Sequence, residues 1–168
     1  MRILGIDPGT TAMGCAILEV EEGREPQVLH AGIATVISTG TGERLRELHK
    51  HLGHLITVWK PEVMAVEKLF FAKNAKTALD VSQGRGVILL TGALAGLTVY
   101  EYTPLEVKKI VTGDGTADKA QVQKMLKLTL PAISELRARD DVFDAIAIAL
   151  TCFFCERAAM RALPRKSF

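Results

Sequence analysis

The chain has 168 residues, of which 48% are hydrophobic, 24% are charged and 5% are aromatic, with a formal net charge of +2. This length suits one domain with its own core, so we expect residues 1–168 to form a single domain. The weak charge alone does not indicate a nucleic-acid partner, no apolar run predicts a membrane span, and an odd number of cysteines without a signal-peptide pattern favours the cytoplasm.

The first part of the chain is predicted to form three strands, a helix and a fourth strand. Short turns rich in Gly, Pro, Thr and Glu separate the first three strands. Apolar residues at helical spacing predict the helix, which Pro61 ends. The predicted ranges are Arg2–Asp7, Ala12–Glu19, 27–37, Thr41–Trp59 and Val63–Glu67.

The second part alternates helices and a strand. Asn74 is a plausible cap for a helix over 74–94, which Gly84 and Gly86 are expected to interrupt. A strand at 97–102 precedes a short helix that begins at Pro104. Further helices are predicted at 116–130, capped by Thr116, and at Asp140–Ala162. Three hairpin-linked strands followed by alternating helices and strands predict an α/β fold with a mixed five-stranded sheet flanked by helices.

Two acidic residues directly follow apolar strands. Asp7 closes the first predicted strand and Glu67 closes the fourth. A buried carboxylate is costly unless it pairs with a base or binds a cation. Each position alone also has a simpler explanation, because Asp7 begins a turn with Pro8 and Gly9, and Glu67 could pair with Lys68. If these two strands lie side by side, however, their acidic ends meet.

Three more acidic residues open the last predicted helix. Acids in a first turn favour the positive end of the helix dipole, and Asp140 is interpreted as the cap. Asp141 and Asp144 are three residues apart and share one face of the helix, where their charges repel each other. A bound cation would relieve that repulsion.

Convergence of these carboxylates would create a site for two divalent ions roughly 4 Å apart, which suits hydrolysis of a phosphodiester. Mg²⁺ is the expected ion, because it prefers oxygen ligands, and we expect Mn²⁺ to substitute for it. The histidines of the first helix are interpreted as solvated surface, and the cysteines of the last helix as buried thiols. The predicted metal ligands are Asp7, Glu67, Asp141 and Asp144.

Five motifs occur in the order in which they occur in RuvC, the bacterial Holliday junction resolvase family, and together they resemble that family over nearly the whole chain. They are GIDPG at 5–9, VEKLFFAKN at 66–74, QGRG at 83–86, PLEVK at 104–108 and DVFDAIAIA at 141–149. The resemblance implies a ribonuclease H-like fold and a Mg²⁺-dependent nuclease that resolves four-way DNA junctions by paired symmetric nicks. It also implies a homodimer and association with a branch-migration helicase complex in recombination and repair.

The same resemblance implies roles for individual residues. Asp7, Glu67, Asp141 and Asp144 fall on the metal-binding acids of the family. Phe70 falls on an aromatic that stacks on a DNA base, and Lys108 and Lys119 fall on basic residues near the scissile phosphate, so Lys119 is counted with the catalytic residues. The full set of predicted DNA contacts is Phe70, Asn74, Arg85, Lys108 and Lys119.

Two other functions are compatible with parts of this pattern. The sequence DPGTT after a strand also resembles the phosphate loop of actin-like nucleotide-binding domains, although those need a second domain that this length does not provide. A non-catalytic junction-binding protein would need the lysines and Phe70 but would have no use for acids at all four positions. An ATP-dependent thermal shift would support the first alternative, and junction cleavage with and without Mg²⁺ distinguishes a nuclease from the second.

Overall fold

The computed structural model describes residues 1–9, 11–21, 23–68 and 75–162. Among these residues, no helix combines the length and the apolar character needed to cross a bilayer. A 3₁₀ turn lies at Pro131–Ile133. The strands are β1 (Arg2–Asp7), β2 (Ala12–Glu19), β3 (Gln27–Thr35), β4 (Val63–Glu67) and β5 (Thr98–Tyr102), and the helices are α1 (Thr41–Trp59), α2 (Ala75–Leu94), α3 (Pro104–Thr112), α4 (Lys119–Thr129) and α5 (Asp140–Ala162).

The strands form one mixed sheet in the order β3-β2-β1-β4-β5. β1 pairs antiparallel with β2, and β2 pairs antiparallel with β3, while β4 runs parallel to both β1 and β5. The predicted mixed five-stranded sheet flanked by helices, as in a ribonuclease H-like fold, is confirmed. Because β1, β4 and β5 are parallel, they end at one edge of the sheet, which we call the carboxyl edge.

Helices cover both faces of the sheet, and alternation along β1 divides its side chains between two cores. Leu4 and Ile6 join one core with Leu52 of α1. Ile3 belongs to the opposite core with Ile146 of α5. Side chains on a strand point alternately to its two faces, so Gly5 and Asp7 share the face of Ile3, against α5.

Two glycines allow α5 to lie unusually close to the sheet. A Cβ atom on Gly5 would lie 2.2 Å from the carbonyl oxygen of Ala145 and 2.8 Å from the Cβ of Ala149. A Cβ on Gly14 would lie 2.0 Å from the carbonyl oxygen of Asp141. Any larger residue at these positions would push the helix away, so the glycines set the distance between α5 and the sheet.

The structure corrects two predicted boundaries. Gly84 and Gly86 do not interrupt α2, which is continuous from Ala75 to Leu94. Gly84 is buried where α2 meets α1, and a Cβ there would lie 3.3 Å from Cδ1 of Leu48, so packing compensates for the low helix propensity of glycine. β3 ends at Thr35, two residues earlier than predicted.

The cap of α4 also differs from the prediction. Asp118, and not Thr116, is the N-cap, and it forms a capping box with Gln121. The Thr116 hydroxyl instead donates a hydrogen bond of 2.8 Å to the carboxylate of Asp114 in the preceding loop. Lys119 therefore becomes the first residue of α4, at the positive end of the helix dipole.

Candidate active site

Asp7 and Glu67 lie side by side at the carboxyl edge. Ile6 and Val66 are register partners in the β1–β4 pair, so the residues that follow them are also neighbours. The two carboxyl groups are close enough to interact, because a hydrogen bond with Asp7 lowers the pKa of Glu67 and the charge of Glu67 raises the pKa of Asp7. The ends of two parallel strands thus bring together the two acids that the sequence places 60 positions apart.

The first turn of α5 brings Asp141 and Asp144 to the same place. Gly14 is the register partner of Asp7 on β2, and the backbone of Asp141 lies directly against Gly14. Both helix acids act electrostatically on Asp7. The structure therefore brings together all four predicted metal ligands, which we call the acidic cluster.

Burial and mutual repulsion change the acidity of this cluster. Burial raises the pKa of Asp7 to about 8, and the charges of Glu67, Asp144 and Asp141 add to this shift. Burial and then the charge of Asp144 raise the pKa of Glu67. Burial also raises the pKa of Asp144, although the charge of Lys119 opposes the shift. A site that disfavours its own negative charge in this way is suited to bind cations.

Lys119 supplies one positive charge to the cluster. Its Nζ lies 3.0 Å from Oδ2 of Asp140 and 3.8 Å from Oδ2 of Asp144. The hydrogen bond to Asp140 raises the pKa of Lys119 and lowers that of Asp140. Gln123 also donates a hydrogen bond of 3.1 Å to Asp140. Asp140, interpreted from the sequence as a helix cap, is instead the first residue of α5 and an anchor for Lys119.

Arg139 supplies a second positive charge that the sequence analysis did not identify. Its Nη2 lies 3.0 Å from Oδ2 of Asp141. The one indication in the sequence is that Arg139 precedes Asp141 by two residues. This indication is weak, because the path of the loop before α5 cannot be predicted from periodicity. Two basic side chains therefore lie beside the cluster, with Lys119 near Asp144 and Arg139 near Asp141.

The acidic cluster fits hard divalent ions in its donor chemistry, because its predicted ligands are all carboxylate oxygens. Among the described residues, no three His, Cys, Asp or Glu side chains already have a metal-binding geometry. Lys119 and Arg139 form ion pairs with Asp144 and Asp141, while burial raises the pKa of Asp7 and Glu67. The two cations partly offset the negative charge of the cluster, and the carboxylates would have to turn toward an incoming ion.

The other predicted DNA contacts lie on helices of both faces of the sheet or fall outside the described residues. Phe70 and Asn74 lie outside the part of the chain that the structure describes. Lys108 is half-buried on α3, which begins directly after β5 at the carboxyl edge. Arg85 lies within α2 and forms an ion pair with Glu101 of β5. Of the predicted basic contacts, Lys119 is the one joined directly to the cluster.

Comparisons with known proteins identify the family. The family model for crossover junction endodeoxyribonuclease RuvC matches residues 3–152. A RuvC from Caldicellulosiruptor saccharolyticus is 47% identical over 151 residues, which cover 89% of this chain and 90% of that protein.

Solved structures agree with this match. Thermus thermophilus RuvC superposes with a TM-score of 0.86 at 31% identity, over 95% of this chain and 97% of that one. A second Thermus thermophilus structure, of RuvC in complex with a Holliday junction substrate, gives 0.85 at 31% identity, over 95% and 96% of the two chains. With the fold, the acidic cluster and these matches together, the chain belongs to the RuvC family of crossover junction endodeoxyribonucleases.

Proposed function

We propose that this chain is a metal-dependent endonuclease that resolves four-way DNA junctions by paired nicks. The observation that carries the proposal is the meeting of Asp7, Glu67, Asp141 and Asp144 at one edge of the sheet, in a member of a junction endonuclease family. A protein that only bound junctions would gain nothing from this concentration of negative charge beside a polyanion. A cytoplasmic location and association with a branch-migration helicase are proposed from the same family membership.

The acidic cluster would hold the metal, with Mg²⁺ as the proposed ion, two per site, and Mn²⁺ as a substitute. Bound there, such ions would supply Lewis acidity and charge neutralisation for attack on a phosphodiester. Asp7 and Glu67 would bind from rigid strand ends, whereas Asp141 and Asp144 would bind from the first turn of α5. The hydrogen bond between Asp7 and Glu67 would then be lost, because both groups would be ionised.

Lys119 is proposed to stabilise the scissile phosphate. It is 65% exposed, lies within reach of Asp144 and stands at the N-terminus of α4. An ammonium group and the free N–H groups of a helix N-terminus both favour a phosphate oxygen. Asp140 would hold the lysine in place during substrate binding through its 3.0 Å contact. Phe70, Asn74, Arg85 and Lys108 are proposed as further DNA contacts.

A homodimer is proposed with α2 as its contact. Three leucines on this helix are largely exposed, namely Leu79 (66%), Leu90 (57%) and Leu94 (73%). With exposed Gly86 they lie within an arc of about 80°, less than a quarter of the helix circumference, at 3.6 residues per turn. An exposed apolar face of this kind favours association with an identical surface. Two sites related by a two-fold axis would match the symmetry of a four-way junction.

The proposal is tested with a labelled mobile four-way junction, compared with linear duplex, flap and RNA–DNA hybrid substrates in Mg²⁺ and in EDTA. We expect cleavage of the junction alone, only with the metal, and with symmetric nicks. The matched variant is Asp7→Asn, which should lower cleavage by more than about 100-fold while junction binding is retained or tightened. Cleavage by Asp7→Asn at the wild-type rate, or equal cleavage of linear duplex, would refute the proposal.

A further inference from the structure

Arg139 occupies a position that a metal ion would also need. Its Nη2 is 3.0 Å from Oδ2 of Asp141, and the Arg139 side chain is 65% exposed while that of Asp141 is 33% exposed. The backbone is fixed at this point, because the carbonyl oxygen of Arg139 accepts a 3.0 Å hydrogen bond from the amide of Val142. The guanidinium therefore reaches the first turn of α5 from a defined point on its outer side.

Arg139 and Lys119 differ in what they can do when an ion arrives. Lys119 is held mainly by Asp140, outside the acidic cluster, so it keeps an anionic partner if Asp144 turns to a metal. Arg139 has no second anionic partner among the described residues, and Asp141 is its only ion pair there. A divalent ion on Asp141 would therefore release Arg139 and leave Lys119 in place.

A guanidinium group stays charged across the working pH range, so competition from a metal ion is the natural way to separate Arg139 from Asp141. Competition for the carboxylate oxygen is decided by the metal concentration. A released guanidinium beside a metal-loaded site is well shaped to bind a phosphate oxygen through two N–H donors. Its exposure places it on the solvent side of the cluster, where the substrate backbone would approach.

We propose that Arg139 is a displaceable counter-ion of Asp141, which a divalent ion releases and which then binds a phosphate of the junction. This inference rests on the proposed function, since it assigns the acidic cluster to metal and the exposed side to DNA. Metal binding at Asp141 and the contact of Arg139 with a DNA phosphate would then depend on each other. It also explains why the carboxylates are paired with cations rather than preassembled around an ion.

The first test measures Mn²⁺ binding to the full chain by calorimetry, in the absence of DNA. Arg139→Ala should bind Mn²⁺ about two- to fivefold more tightly than the wild type, which is the range expected from losing one exposed ion pair. Arg137→Ala is the matched control, because it removes an exposed arginine of the same loop that makes no ion pair with a described residue. We expect Arg137→Ala to bind Mn²⁺ like the wild type.

The second test measures how junction affinity falls with salt, in EDTA and in Ca²⁺, with the strands checked to be uncut. Each phosphate contact contributes about 0.9 to the slope on duplex DNA. The slopes of the wild type and Arg139→Ala should agree in EDTA and differ by about one in Ca²⁺. A difference of the same size in both conditions would mean that Arg139 binds phosphate without being released.

Asp141→Asn separates failure of this inference from failure of the proposed function. Suppose that the wild type binds Mn²⁺ and that Asp141→Asn weakens this binding. If Arg139→Ala then has the same Mn²⁺ affinity as Arg137→Ala, only the role of Arg139 is overturned. If neither the wild type nor any variant binds Mn²⁺, the metal site itself is refuted, and the inference fails with it.

Discussion

Asp7 has a carboxyl group in surroundings that disfavour its charge. It lies on a central strand, beside Glu67 and below the first turn of α5, and burial with three neighbouring acids raises its pKa to about 8. At neutral pH and without metal, the protonated form therefore dominates at this position. Burial and repulsion raise the free energy of the ionised form. A bound divalent ion would offset that cost.

This environment makes the metal-free protein less stable as pH rises. The folded-state pKa of Asp7 lies above its unfolded value of 3.8, so the stabilisation is complete below that value and is lost as pH rises through about 8. Asp7→Asn removes the ionisation and should melt at a higher temperature than the wild type at pH 8 in EDTA. The difference should shrink at pH 5, and Glu25→Gln, an exposed acid in the β2–β3 loop, should show neither effect. Equal melting temperatures at pH 8 would contradict a strained Asp7.

Lys119 provides a second test at this scale. Lys119→Gln removes the charge beside Asp144 and should lower the cleavage rate by roughly 100- to 1,000-fold, as for loss of one preorganised donor. Junction affinity should change only a few-fold, since one phosphate contact of many is lost. Lys124→Gln, an exposed lysine later on α4, is the control and should cut normally. A loss of affinity as large as the loss of rate would make Lys119 a binding residue.

The four acids were predictable because each interrupts a strong local pattern: two follow apolar strands and two open an apolar helix. The contacts of Lys119 and Arg139 were not predictable in the same way. They depend on how the segment 130–139 crosses from α4 to α5, and no periodic pattern encodes that path. Asp140 was misinterpreted because capping and side-chain pairing use the same residue type at the same position.

At the scale of elements, α5 contributes both to the hydrophobic core and to the acidic cluster. Its buried residues fill the space above the sheet, and its first turn supplies half of the acidic cluster. The close approach at Gly5 and Gly14 fixes this arrangement. The positions of the helices were well predicted from apolar spacing, but this distance was not, since glycine in a strand has several explanations in a single sequence.

Gly14→Ala should disturb the site through α5. The added Cβ would meet the backbone of Asp141 at 2.0 Å, so the start of the helix would have to move. We expect a loss of about 1–3 kcal/mol in the free energy of unfolding, measured in urea, and weaker Mn²⁺ binding. Gly32→Ala on β3 is a matched control, because its Cβ would lie 3.5 Å from the nearest atom, on His30. Unchanged Mn²⁺ affinity in a folded Gly14→Ala would show that this contact does not position the acids.

At the scale of the whole molecule, the mixed sheet was predictable from hairpin turns followed by alternating helices and strands. The register that aligns β1 with β4 was not, because parallel pairing depends on packing across the core and leaves no local mark. The exposed residues of the surface were even harder to predict from the sequence. The spacing of the leucines in α2 does not show which of them are buried, and the structure exposes Leu79, Leu90 and Leu94.

The α2 surface yields a prediction about assembly. In the proposed dimer, Leu90→Arg would place two like charges at the α2 contact, and the variant should sediment as a monomer in sedimentation velocity. Leu128→Arg on α4 is the control, because Leu128 is 67% exposed and lies away from α2. The monomer should keep its Mn²⁺ affinity but lose paired nicking, leaving single cuts. A wild-type chain that sediments as a monomer at high concentration would contradict the proposed contact.

The placement of the acids at opposite ends of the chain has a consequence for biosynthesis. Asp7 leaves the ribosome early, whereas Asp141 and Asp144 belong to the last of the helices described here, which must dock before the cluster exists. A partly translated or prematurely terminated product would therefore contain the strands and several lysines without a complete acidic cluster. Under the proposed function, cleavage therefore begins only after α5 has docked against the sheet.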